Sequence, residues 1–191
     1  MIDKIEQKLI DSAIRVVKSG EGCLFVIKVN KVKCEPLMKN DLIEPFSIFK
    51  DFYQKRLDIL AKLDGACIVN SKGELINYGM KINQTKSFLG YGTRHSAGYS
   101  TSLDGNISIL GSQESKKVRI FKEGKLVMQI DTLEKNIESK TKHAVNILES
   151  IGVGALGTIG AGMFVPVGIA LIPGIIIFGS SHYLIKQLLS K

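Results

Sequence analysis

Between residues 151 and 179 the chain carries no charged side chain. So long an uncharged run has to be taken out of water, either in lipid or in a protein core. As a single helix rising about 1.5 Å per residue it exceeds the roughly 30 Å hydrocarbon core of a bilayer, and it is read here as membrane-embedded. Pro166 and Pro173 would kink such a helix, which leaves one tilted span or a re-entrant hairpin turning near 164–168. Gly154, Thr158 and Gly162, with Gly157 and Ala161 beside them, make small-residue faces on which helices approach closely. Lys135, Lys140 and Lys142 before the run favour a cytoplasmic start, and Lys186 and Lys191 after it weaken the asymmetry. The alternative is a hydrophobic hairpin buried in the protein itself.

The approach to this run is helical in pattern. Ile130, Leu133, Ile137, Ala144, Ile147 and Ile151 form a heptad-like seam broken at Lys140. That predicts a helical stalk over 132–150, or equally a helix packed on its own domain. At the other end, Ile2, Ile5, Leu9, Ile10, Ala13, Ile14 and Val17 recur at helical spacing before Ser19-Gly20. Residues 1–19 are therefore an amphipathic helix, expected to cover one face of a sheet rather than to serve as an oligomerisation or regulatory arm.

Residues 20–131 read as the domain proper. Residues 23–29 form a branched, apolar first strand, and 41–63 return to helical spacing through Ile43, Phe46, Phe49, Phe52, Leu57, Leu60 and Leu63. A hairpin over 68–80 turns at Ser71-Lys72-Gly73. A short helix is predicted over 94–102, and strands over 106–110, 118–121 and 126–130, the last two joined at Glu123-Gly124. This predicts an α/β fold: a mixed central β-sheet flanked by helices, then the stalk, the membrane segment over 151–179 and a tail over 180–191.

The formal charge of +8 suits a polyanionic ligand or an anionic membrane face, and no lysine run is dense enough to indicate duplex DNA, so no nucleic acid is expected. Cys23, Cys34 and Cys67 lack paired spacing and read as reduced thiols of a cytoplasmic protein. The stretch 1–19 is charged throughout and does not read as a signal peptide.

Two short motifs carry the chemistry. Asp64-Gly65-Ala66 places a carboxylate at the mouth of an apolar strand, and Gly92-Thr93-Arg94-His95 has the look of a helix start, with Thr93 as a possible N-cap and backbone donors aimed where a phosphate would sit. Taken singly, the first is a plain turn and the second a solvated helix start. In this order and spacing they resemble the DGA and (G)(T)RHR signatures of the diadenylate cyclase (DAC) domain, the catalytic module of the DNA-integrity scanning protein. The likeness covers roughly residues 20–130. The second arginine of RHR is Ser96 here.

The resemblance implies a diadenylate cyclase, and the uncharged run makes it a membrane-anchored one with its catalytic domain in the cytoplasm. Each subunit would bind one ATP, and two subunits would meet face to face to make cyclic di-AMP and two pyrophosphates with a divalent metal, Mn²⁺ or Mg²⁺. It assigns catalysis to Asp64, Arg94 and His95, the metal to Asp64 and His95, and nucleotide contacts to Gly65, Ala66, Ile82, Gly92, Thr93, Ser96 and Ser112. Lys81, Lys86 or Lys116 would have to cover the charge missing at position 96. The alternative is a nucleotide sensor that makes no cyclic product and whose glycine-rich C-terminal segment is the effector.

Overall fold

The computed structural model describes residues 1–37, 44–83, 86, 92–151 and 167–179. Helix α1 (Ile2–Lys18) is the amphipathic helix foreseen: Ile5, Leu9, Ile10, Ala13, Ile14 and Val17 all lie on its buried side. It ends where the Ser19 and Gly20 amides turn back to helix carbonyls, Gly20 taking a φ of 91°.

The chain then builds one sheet, ten-stranded among the described residues. Strand β1 (Cys23–Lys28) lies at its centre, parallel to β4 (Ala66–Asn70) and antiparallel to β6 (Ile107–Ser112). On one side β4 pairs with β5 (Glu74–Ile82), which carries β2 (Cys34–Pro36) and β3 (Phe46–Ser47) along its outer edge. On the other side β6 pairs with β7 (Lys117–Lys122) and β7 with β8 (Lys125–Asp131), through the predicted Glu123-Gly124 turn with both residues at positive φ.

Alternation along the strands divides the core. Phe25, Ile27, Cys67, Val69, Ile109, Val118 and Ile120 point to the side covered by α1 and α2 (Gln54–Lys62). Leu24, Val26, Ala66, Ile68, Leu110 and Phe121 point to the side covered by α3 (Thr93–Leu103). The predicted mixed sheet with flanking helices is what forms.

Three expectations need correction. The helix expected over 41–63 is α-helical only from Gln54, after a 3₁₀ turn at Asp51–Tyr53; residues 41–43 lie outside the described residues. Phe46–Ser47 instead pair with β5, and the Ile48 amide bonds to the Gly73 carbonyl at 2.9 Å, just past the helix-breaking Pro45. The stalk is not one. Helix α4 (Ile137–Ile151) lies on α1 and buries Ile137, Ala144, Val145 and Leu148 in the same core, tied by Gln7 Nε2 to Thr141 Oγ1 at 2.6 Å and by the Lys18–Glu138 ion pair. This is the packed-helix alternative.

The uncharged run receives the largest revision. Strand β9 (Val167–Ile172) and strand β10 (Ile175–Gly179) form a hairpin, and β10 pairs antiparallel with β8, Ile175 facing Ile130 and Ile177 facing Met128. Pro173 sits in the turn between them, where a missing amide costs nothing. Ile175 and Ile177 join the α1 side of the core, and Phe178 the α3 side. A single membrane helix over 151–179 is thus excluded by the pairing of its last part, and no helix of the described residues is long and apolar enough to cross a membrane. Residues 152–166 and the tail over 180–191 lie outside the described residues.

Candidate nucleotide site

Residue 64 stands in the turn that delivers α2 to β4. Gly65 follows at φ +96°, and a Cβ there would lie 2.6 Å from the Gly79 carbonyl carbon and 2.7 Å from the Met80 nitrogen. Both the backbone angle and the close approach of β5 require glycine. The tight turn leaves the Asp64 carboxylate exposed, with Oδ1 accepting from the Gly65 amide at 3.0 Å.

Helix α3 begins directly opposite. Its N-cap is Gly92 rather than Thr93, and no side chain caps it. The Gly92 carbonyl accepts from the His95 and Ser96 amides at 3.1 and 3.2 Å. Arg94 leans over Gly22, where a Cβ would come within 2.6 Å of its Nη1, and its Nη2 reaches Asp64 Oδ1 at 3.4 Å. Absence of a side chain at residue 22 is what lets the guanidinium come this close to the start of β1.

Two cavities open here, sharing Asp64, Thr93 and Arg94. The larger, about 590 Å³, is walled by apolar groups including Leu24, Ala66, Met80, Ile82 and Ala97. The smaller, about 280 Å³, is polar and lined by Gly92, His95, Ser112, Gln113 and Glu114 among others. An apolar slot joined to a polar chamber at an acid and an arginine fits the two halves of a nucleotide, base and phosphates.

His95 is held from behind. Its Nε2 lies 3.0 Å from Arg119 Nη1; a guanidinium can only donate, so Nε2 accepts and the ring proton belongs on Nδ1. Burial, and then the adjacent Arg119, push the ring down to about 4, so it is neutral at pH 7. With Nε2 engaged by Arg119 and the ring proton on Nδ1, neither ring nitrogen offers a lone pair to a cation. His95 therefore does not fit the metal role foreseen for it.

Asp64 does fit a hard divalent ion, since Mg²⁺ in phosphoryl-transfer sites is held by one or two carboxylates together with substrate phosphates. Glu114 brings a second carboxylate to the same chamber. Among the described residues no group of three or more His, Cys, Asp or Glu is assembled into an all-protein metal cage.

Of the residues singled out from sequence, Asp64, Gly65, Ala66, Ile82, Thr93 and Arg94 line the apolar cavity, and Asp64, Gly92, Thr93, Arg94, His95 and Ser112 the polar one. Ser96 lines neither: it is buried in α3. Leu24, Met80, Glu114 and Arg119 were missed. Leu24 and Met80 read as ordinary strand residues, and Arg119 as one more charge at the sheet's surface. Cys23 and Cys67 are unpaired core thiols, the former pushed up to about 12 by burial, as their unpatterned spacing suggested.

The fold and cavities define a nucleotide-binding α/β domain. The DisA bacterial checkpoint controller nucleotide-binding family, DAC, matches residues 10–126, and the chain belongs to it. A diadenylate cyclase of Methanocaldococcus jannaschii is 28% identical over 142 residues, which is 65% of this chain and 45% of that protein, so the chain spans about half the length of this curated relative. The crystal structure of a double mutant of DacA from Staphylococcus aureus superposes with a TM-score of 0.51 at 16% identity, over 75% of this chain and 94% of that one, a likeness of fold.

Proposed function

We propose that this domain condenses two molecules of ATP into cyclic di-AMP and two pyrophosphates, with two copies of the chain presenting their sites to each other. The observation that carries this reading is the convergence of Asp64 and the Arg94-His95 pair on one polar chamber that adjoins an apolar slot. The adenine would occupy the slot against Leu24, Met80 and Ile82. The phosphates would enter the chamber, beside the start of α3 and His95.

In the reaction the 3′-oxygen of one ATP attacks the α-phosphorus of the other; a P–O bond forms, the bond to the leaving pyrophosphate breaks, and the hydroxyl proton departs. Asp64 would receive that proton, and Arg94 would neutralise charge that grows on the phosphoryl oxygens. A divalent ion on Asp64 would supply further charge neutralisation. Because each ATP is both nucleophile and electrophile, two sites are needed, and a monomer would bind without cyclising. Free Cys23, Cys34 and Cys67, together with a triphosphate substrate, support a cytoplasmic setting.

The test is incubation of purified chain with ATP and Mn²⁺ or Mg²⁺, with cyclic di-AMP quantified by mass spectrometry. Product should appear with a specific activity that rises with protein concentration, and should fall at least about 100-fold in Asp64→Asn. The burial of Ser96 where the family pattern has arginine favours one other reading, a non-cyclising nucleotide sensor. That reading predicts an ATP-dependent rise in melting temperature with no product at any protein concentration.

A further inference from the structure

Arg119 is almost fully buried, at 5% exposure, in the middle of β7. Burying a guanidinium is costly unless its donors are satisfied, and an apolar residue of similar volume would serve stability as well or better. Its bonds join the site to the neighbouring strand. Nε donates to Gln129 Oε1 at 3.0 Å, its cross-strand neighbour on β8. Nη1 reaches both His95 Nε2 at 3.0 Å and Ser115 Oγ at 3.1 Å. The Ser115 amide in turn donates to Ser112 Oγ at 3.3 Å.

His95 and Ser112 both line the polar chamber, one from α3 and one from the end of β6. We propose that Arg119 is a positioning residue: anchored on Gln129, its guanidinium ties the α3 wall to the β6–β7 turn and holds His95 with Nε2 accepting and the ring proton on Nδ1. It also sets a permanent positive charge behind the chamber, in a domain whose Ser96 lacks the arginine of the family pattern. None of Lys81, Lys86 and Lys116, the substitutes considered from sequence, lines the polar chamber; Lys81 lines the apolar cavity and pairs with Glu35 on β2. As a role in catalysis, this rests on the cyclase reading; as a role in fixing His95, it stands apart from it.

The experiment compares wild type with Arg119→Met and Arg119→Lys in two readouts. The first is kcat and KM for ATP in the cyclisation assay. Arg119→Met should lower kcat about 100-fold, the cost of roughly 1 Å of misplacement at a reacting centre, with KM little changed; Arg119→Lys should recover part of it. The second is the protonation of the His95 ring by long-range proton–nitrogen NMR at neutral pH: Nδ1–H in the wild type, moving to Nε2–H in Arg119→Met.

A well-folded Arg119→Met that keeps wild-type kcat or keeps the Nδ1–H form overturns the proposal. If Arg119→Met does not fold, Ser115→Ala and Gln129→Met, which each remove one anchor, take its place; a loss of several-fold in kcat in both supports the role, and unchanged kcat in both overturns it. Should the wild type make no cyclic product, the cyclase reading fails alone. The ring tautomer in Arg119→Met, Arg119→Lys and Gln129→Met then decides the positioning role in the same way.

Discussion

The half of the sheet built from β5, β4 and β1 and the half built from β7, β8, β10 and β9 solve opposite problems. The first half brings charged groups to the ends of its strands and keeps them in solvent reach: Asp64 is 82% exposed, and Arg94 lies over a glycine at the start of β1. The second half extends the sheet with a charge-free hairpin whose β10 puts Ile175 and Ile177 into one side of the core and Phe178 into the other. Charge at a strand's mouth therefore marks chemistry, whereas lack of charge along a segment marks only burial. Hydropathy reports that a segment leaves water and says nothing of whether the medium it enters is lipid or protein.

The difference can be broken by substitutions on either side. Asp64→Asn should lower cyclase turnover by about 10²–10⁴-fold, the range for losing a positioned proton acceptor, while leaving the melting temperature unchanged, because the side chain supports no packing. Ile177→Ala in β10 should do the reverse. It should destabilise the domain by about 2–5 kcal/mol in urea unfolding, as for other buried isoleucines; an unchanged midpoint would return the hairpin to lipid or solvent. Gly65→Ala joins the two kinds of effect: strain at positive φ and a clash with β5 should cost about 1–3 kcal/mol and remove product formation with it.

A smaller effect concerns pH. His95 has its folded value lowered to about 4 from the ordinary 6.5. Between those values the unfolded chain binds a proton that the folded one refuses, so this group's contribution to stability rises with pH from about 4 to 6.5 and is lost as pH falls through that window. In a set of urea titrations across this range, His95→Gln should show a shallower slope of unfolding free energy against pH than wild type. The smallest effect belongs to the exposed Lys81–Glu35 pair on the edge of β5, where Glu35→Ala should change stability by less than about 0.5 kcal/mol.

Much of this molecule is set by local pattern. The spacing of Ile5, Leu9, Ala13 and Ile14 suffices for α1, the apolar run 66–69 with its Ser71-Lys72-Gly73 turn for the β4–β5 hairpin, and Glu123-Gly124 for the β7–β8 turn, because periodicity and turn chemistry act over a few neighbouring residues. Asp64-Gly65-Ala66 and Gly92-Thr93-Arg94-His95 were legible for the same reason: each is a contiguous backbone device with its side chains attached. Tertiary structure alone decided the rest. It laid α4 on α1 instead of extending it as a stalk, and paired 175–179 with β8 instead of passing it through a membrane. It carried Arg119 from a strand that reads as unremarkable to the back of His95. Partners chosen across the sheet depend on which strands become neighbours, a long-range outcome that no window of sequence contains.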